Sequence, residues 1–275
     1  MTRSMPELIG ILMDRVQTAA ELTVAADVEV PTGLDALDHA IGGLRSGDLI
    51  LLIGAPGCGK SSLAVSLIRH VVLDAGCPAV FASLQSKGEH VLLKIISGAT
   101  RISLRNLGAG KLTEQDWLVL ADMTSLLAAA PLMVCDGAIQ NPQSLDADVL
   151  ASTERFGRCA FLAIDHSQLL SPMSAASDES IQVAALRELC RELKLLARRR
   201  DCAVLLIESS NLGGAVVDFI PEADVILELR RTGLFSKESG AERCEVGVLK
   251  QQMGPPCTVL VQFSPAFGGF NSLGR

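Results

Sequence analysis

The chain has 275 residues, 49% of them hydrophobic and 20% charged, with a formal net charge of −7. That composition is globular, allows a full buried core and excludes an intrinsically disordered polymer. The negative balance argues against a general nucleic-acid-coating role, and no apolar run approaches the roughly 18 residues of a membrane span.

Taken in chain order, the sequence alternates helix and strand. Residues 1–6 show no charged region leading into an apolar core, so no secretory leader is expected and the chain reads as cytoplasmic. Leu8, Ile11, Leu12, Val16 and Ala19 carry helical spacing over 6–20, and 23–31 reads as a linker. Leu49–Ile53 has the length and apolar continuity of a buried strand, and a helix follows over 60–74. Gly76 and Pro78 reset the chain into a strand at Ala79–Ser83. Helices are expected over 89–97 and 113–129, the second opened by Thr113 with Asp116 three residues on, a loose capping box. Pro131 stops that helix before a strand at Leu132–Cys135. A helix over 144–156, a strand over 159–164, a long helix over 180–200 and a strand at Ala203–Ile207 continue the alternation. Strands over 225–229, 245–250 and 258–263 come last, with few residues between them. The pattern predicts an α/β fold: a mostly parallel sheet with helices on both faces and an antiparallel edge. Eight cysteines are scattered without a CxxC pair, which reads as reduced core thiols and not as a disulfide framework or zinc site.

Gly54, Ala55, Pro56, Gly57, Cys58, Gly59, Lys60 and Ser61 fit GxxxxGK[ST], and Ser62 continues the helix they open. A buried strand precedes the motif and a helix follows it, as its chemistry requires. The glycines let backbone N–H groups curl around phosphate oxygens, and the helix N-terminus adds the positive end of its dipole. Lys60 is expected on the β- and γ-phosphates and Ser61 on Mg²⁺, so the expected ligand is a nucleoside triphosphate with Mg²⁺. A metal held this way also needs a carboxylate at a neighbouring strand end. FLAID at 161–165 supplies Asp165, and Asp136 after Leu132–Cys135 is the rival. His166 reads as a wall of the site. Arg187, Arg191, Lys194 and Arg198 recur at helical spacing, with Arg199 and Arg200 ending that helix. A solvated face is the plain reading of this stripe, and a contact with DNA or a partner is the alternative.

With these motifs in hand, the chain resembles the RecA-like motor domain of the DnaB-type replicative DNA helicases. PTGLDALD at 31–38 and GLRSGDLI at 43–50 resemble that family's approach to its first strand, which RecA and its relatives share. GKLTEQDW at 110–117, the pair Ala130 and Pro131, DHSQLL at 165–170 and KQQMGP at 250–255 point to the helicases rather than to recombinases. The resemblance implies a division into 1–30, a linker-type helix that docks on a neighbouring subunit, and 31–275, a RecA-like ATP-binding domain. The family's N-terminal collar has no counterpart in these residues. It further implies ATP and Mg²⁺ as cofactors, a homohexameric ring with ATP between subunits, and single-stranded DNA through its centre.

Four departures from that family fall on function. Gln85 stands where the family has a general-base Glu in the phrase Ser-Leu-Glu, and an amide orients water but is a very poor base. Lys250 is kept, but Gln252 stands at the place of the trans-acting arginine finger, a group worth about 10³–10⁵ in rate in related enzymes. Glu208 and Ser209 replace a Ser-Gln pair whose Gln senses the γ-phosphate. The segment 210–224 contains no Lys or Arg, where the family carries basic DNA contacts. One reading is a compensated helicase ATPase with Glu208 as substitute base and Arg230 or Arg231 as substitute finger. The other is a structural or regulatory nucleotide-binding subunit with weakened hydrolysis and weak single-stranded DNA binding. A RecA-like recombination mediator fits the P-loop but not the phrase at 110–117.

Overall fold

The computed structural model describes residues 30–137, 141–165, 179–208, 220–236 and 240–273, and Met5, Glu7, Ile9, Gly10 and Met13. Those five are helical. The rest of the helix expected over 6–20, residues 23–29, His166, Ser209 and 210–219 lie outside the described residues.

Apolar runs build the centre. Leu49–Ile53 (β1) and Ala79–Ser83 (β2) are buried throughout, Leu132–Cys135 (β3) is partly exposed, and Phe161–Asp165 (β4) and Ala203–Ile207 (β5) are again fully buried. Val225–Ser236 (β6), Ala241–Lys250 (β7), Cys257–Ser264 (β8) and Gly269–Ser272 (β9) follow. Among the described residues these form one sheet in the order β3-β2-β4-β5-β1-β6-β7-β8-β9. Pairing is parallel from β3 to β6 and antiparallel from β6 to β9, as the sequence pattern predicts.

Side chains on a strand alternate between faces, so a sheet covered on both sides has two cores. One layer holds Ile50, Leu52, Phe81, Ala163, Leu205 and Ile207 against Leu63, Ala64 and Leu67 of the helix that follows β1. The other holds Leu51, Ile53, Leu162, Ile164, Val204 and Leu206 against Leu186, Leu189, Cys190 and Leu193 of the long helix before β5. Each fully buried Leu or Ile contributes about 1.5–3 kcal/mol, so this double layer is the main source of stability. Five of the eight free cysteines are buried.

The helices are Asp35–Ile41 (α1), Lys60–Arg69 (α2, prolonged by a π-turn at His70–Asp74), Gly88–Thr100 (α3), Leu104–Ala109 (α4), Glu114–Ala129 (α5), Pro142–Phe156 (α6) and Glu179–Arg200 (α7). The capping box of α5 is complete: Thr113 Oγ1 accepts from Asp116 N at 3.1 Å, and Asp116 Oδ2 accepts from Thr113 N at 2.9 Å. Yet α5 has no fully buried residue, and Trp117, Leu118 and Leu126 stand exposed on it. Sequence periodicity misses α1 and α4, which at 7 and 6 residues make at most two turns. It also misses β9 and truncates β6 and β7. Residues 230–236 of β6 are mostly exposed, so no apolar run marks them, and only their pairing with β7 makes them strand.

That outer ribbon is pinned across its two strands. Arg231 Nε donates to Glu242 Oε1 at 3.0 Å, a second guanidinium nitrogen donates to Oε2, and the guanidinium lies 5.3 Å from the Phe263 ring centroid. These bonds from Arg231 hold the Glu242 carboxyl below its ordinary 4.5. A depressed carboxylate stabilises the fold fully above its unfolded value and loses that contribution as pH falls through the folded one. The melting temperature is therefore expected to fall as pH drops below 4.5, and Glu242→Gln should flatten part of that fall while lowering the value at pH 7. Melting curves of both proteins from pH 7 to pH 3 check this.

Candidate nucleotide-binding site

The loop between β1 and α2 is shaped by its glycines. Gly54 has φ 150°, and a Cβ there would lie 2.6 Å from the Leu229 carbonyl oxygen and 2.9 Å from Cys58 Sγ. Only glycine lets the loop lie against the β6 backbone. Gly59, at φ 110°, is the N-cap of α2 and offers no side-chain cap. The first N–H groups of a helix have no partner within it, so the start of α2 is a donor set for an anion. Burial pushes the Cys58 thiol up, so it remains a neutral wall of the loop.

Lys60 is 6% exposed, and its ammonium folds back on the loop, donating to Gly54 O at 2.6 Å and Ala55 O at 3.0 Å. A buried ammonium held only by carbonyl groups is poised for anionic oxygens. Ser61 Oγ donates to Asp165 Oδ1 at 2.8 Å. Asp165 reaches it because β4 turns Ile164 to the α7 layer and Asp165 to the α2 layer. Gln85 comes from a turn after β2, where Ser83 Oγ donates to Ser86 O at 2.6 Å and Leu84 N donates to Asp165 O at 3.3 Å. A cleft of about 400 Å³ is lined by Pro56, Gly57, Gly59, Lys60, Ser61, Ser62 and Gln85.

Other candidates sit elsewhere. Asp136 Oδ2 accepts from Gly88 N at 2.8 Å, so it caps α3. Its strand β3 is four places from β1, about 19 Å at ordinary strand spacing, which removes it as a rival to Asp165. Glu208 is buried, and its N–H continues the ladder to Leu52 O at 2.9 Å. The alternation of β5 turns Ile207 to the α2 layer and the next residue, Glu208, to the α7 layer. There the Cys190 thiol is pushed up, by burial first and then by the carboxylates of Glu208 and Glu222. By strand parity this possible substitute base faces the layer opposite Ser61 and Asp165.

Lys250 and Gln252 lie at the opposite end of the sheet, because Lys250 pairs with Ile226 near the start of β6. Lys250 Nζ donates to Pro221 O at 3.0 Å, and Gln252 Nε2 donates to Asp224 Oδ1 at 2.6 Å. Neither approaches the P-loop of its own chain. Arg230 and Arg231 do: a second cleft, of about 440 Å³, lies between Ala55, Pro56, Gly57 and Cys58 and the β6 residues Glu228 to Arg231. Arg231 is committed to Glu242. Arg230 pairs only loosely, 3.6 Å from Glu228 and 3.8 Å from Glu245. No local pattern announces the β6 wall, whose backbone is what Gly54 makes room for.

Five of the six cations of α7 are engaged inside the chain, and the exposed Arg198 has no ion pair among the described residues. Arg187 pairs with Glu222, Arg191 with Glu188, Lys194 with Asp224 and Asp48, and Arg199 and Arg200 with Asp146. The stripe is a set of clamps before it is a docking face.

Comparison with known proteins agrees with the fold and with the family resemblance. The sequence model of the DnaB-like helicase C terminal domain matches residues 29–213. The chain is 25% identical to the replicative DNA helicase DnaB of Leifsonia xyli subsp. xyli, over 96% of this chain and 60% of that protein. It is 26% identical to the replicative DNA helicase DnaB of Geobacillus stearothermophilus, over 90% of this chain and 57% of that one. The chain thus spans less than two thirds of the length of these relatives. Among solved structures, one isolated ATPase domain superposes with a TM-score of 0.81 at 21% identity, covering 100% of both chains. A DnaB-like replicative helicase, described with its interactions with primase, gives 0.79 at 21% identity, covering 100% of this chain and 68% of that one.

Two carboxylates that look alike in sequence are expected to behave differently. Asp136→Ala should cost about 0.5–2 kcal/mol of stability, as loss of a helix cap does, and leave any melting shift caused by ATP and Mg²⁺ intact. Asp165→Ala should remove the Mg²⁺ dependence of that shift, and Lys60→Ala the shift itself. Thermal melting with ATP, with and without Mg²⁺, separates the three.

Proposed function

The chain belongs to the DnaB-like helicase C-terminal domain family, and on that premise we propose that it binds ATP with Mg²⁺ and hydrolyses it slowly. The observation that carries this is a single cleft in which the binding groups Lys60 and Ser61 stand beside Gln85, where chemistry needs a carboxylate. The donor set fits the ligand. Lys60 and the N–H groups at the start of α2 suit phosphate oxygens, and the hydrogen-bonded pair Ser61 and Asp165 suits a hydrated Mg²⁺. When bound, the metal would offset charge on the phosphates.

Gln85 can orient a water but not take its proton. Glu208 faces the other layer of the sheet, which argues against it as replacement base. Gln252 lacks the charge of a finger, so transition-state stabilisation is lost while ground-state binding persists. One observation favours the compensated reading. Arg230 lies against its own P-loop with loose ion pairs, so it is the candidate for a cation acting within the chain.

Self-association, as a ring by family resemblance, is part of the proposal. Met5, Ile9 and Met13 form an exposed apolar row at four-residue spacing, and Trp117, Leu118 and Leu126 are exposed on α5. Both surfaces suit burial against further copies. Replication and DNA unwinding are the activities of the longer relatives, and we extend them to this chain as a proposal. Weak single-stranded DNA binding follows from the net charge of −7 and from the internal pairing of five of the six α7 cations, which leaves only Arg198 exposed without an ion pair among the described residues. A nucleotide-binding structural or regulatory subunit is the version of this function with turnover lost. A recombination mediator has no support from the family match.

Steady-state hydrolysis with and without single-stranded DNA tests the proposal. The wild type should turn over below about 0.1 s⁻¹, against roughly 1–10³ s⁻¹ for ordinary enzymes. Gln85→Glu should raise the rate. Brisk wild-type hydrolysis abolished by Arg230→Ala would establish the compensated reading instead. Binding to a labelled oligonucleotide should be weak, with a shallow slope of log K on log salt, as expected for few phosphate contacts. A steep slope with tight binding at physiological salt would contradict this.

A further inference from the structure

The turn between β7 and β8 is tied down at a buried carboxylate. Asp224 is 5% exposed and precedes β6 at the foot of the sheet. Its Oδ2 accepts from Leu49 N at 2.7 Å and from the Lys194 ammonium. Its Oδ1 accepts from Gln252 Nε2 at 2.6 Å. Three segments distant in sequence thus converge on one side chain: the first residue of the strand that carries the P-loop, the back helix α7, and the β7–β8 turn. Lys194 also donates to Gly47 O at 2.7 Å and lies 3.6 Å from Asp48 Oδ1. The Asp48 carboxyl is pushed up, by burial and then by the like charge of Asp224, with Lys194 and Arg45 opposing. Two carboxylates therefore compete for the one ammonium bonded to Asp224, and Gln252 answers the other oxygen with a neutral amide.

We propose that Asp224 is a latch that holds residue 252 to its own subunit, and that Gln252 is the strut that the latch grips. The residue itself is an exposed turn residue, so nothing but this bond and its neighbours directs its amide inward. The neighbours act in the same sense: Lys250 Nζ donates to Pro221 O at 3.0 Å, and Gln251 Nε2 closes the turn on Pro255 O at 2.6 Å. A guanidinium at 252 would add a positive charge to a hydrogen bond whose acceptor is already ionised, turning the contact with Asp224 into an ion pair. It would be captured, not released toward a neighbour. Asp224 is a positioning residue in this account. The consequence for catalysis rests on the proposed binding of ATP between subunits.

The test uses the whole chain and reads charge sign, which a merely structural turn would not feel. Without nucleotide, Gln252→Arg should raise the melting temperature by about 2–4 °C and Gln252→Glu should lower it by a similar amount. In an Asp224→Asn background both shifts should shrink toward zero. Shifts of less than about 1 °C for both substitutions in the parent background would overturn the latch, and that result needs no Asp224 variant to fold. A second arm measures ATP turnover in a Gln85→Glu background. Gln252→Arg should add less than threefold there, and at least tenfold once Asp224→Asn is also present. An equal gain with and without Asp224→Asn would also overturn the latch. Opposite melting shifts with no turnover in any variant would leave the latch standing and refute hydrolysis between subunits.

Discussion

A parallel sheet buried on both faces imposes strand parity on everything at its ends. Each strand-end residue can face only one of two layers, and one residue of difference moves it to the other. Asp165 closes β4 on the α2 side and meets Ser61. Glu208, one residue beyond β5, falls on the α7 side and meets the surroundings of Cys190. Both are acids after an apolar run, and the sheet alone makes one a metal-site candidate and the other a buried carboxylate of the back layer. The P-loop depends on the same sheet, because Gly54 has to clear the carbonyl of Leu229 on β6.

Charge is distributed with a similar division. Apart from the exposed Arg198, the cations of α7 are paired, with Asp146, Asp48, Asp224, Glu188 and Glu222. Exposed pairs such as Arg191 with Glu188 add little stability, typically under about 1 kcal/mol. They matter more for what they withhold, since a paired guanidinium has less to offer a phosphate backbone. The buried Lys194–Asp224 contact matters differently, because removing either partner would strand a charge at the foot of the sheet.

Much of this was legible in the sequence. Continuous apolar runs marked β1, β4 and β5, and the P-loop glycines and Lys60 followed from one motif in its strand–helix setting. Thr113 with Asp116 announced the cap of α5. The limits were equally physical. Helices α1 and α4 are too short to show a period, and the outer half of β6 has no apolar face to alternate. The sequence placed Asp165 ahead of Asp136, but what separates them in space is strand order, a long-range property. The Asp224 cluster joins residues 49, 194, 224 and 252, a contact that no local pattern encodes.

The central claim is that this chain keeps the apparatus for holding a triphosphate and has weakened the apparatus for cleaving it. The fate of the bound nucleotide addresses that most directly. The whole chain is mixed with labelled ATP and Mg²⁺, the complex is isolated at intervals, and the ratio of ATP to ADP in it is measured. The account predicts a stoichiometric complex whose nucleotide remains ATP for minutes. ADP accumulating in the complex within seconds, or no complex at all, would contradict it.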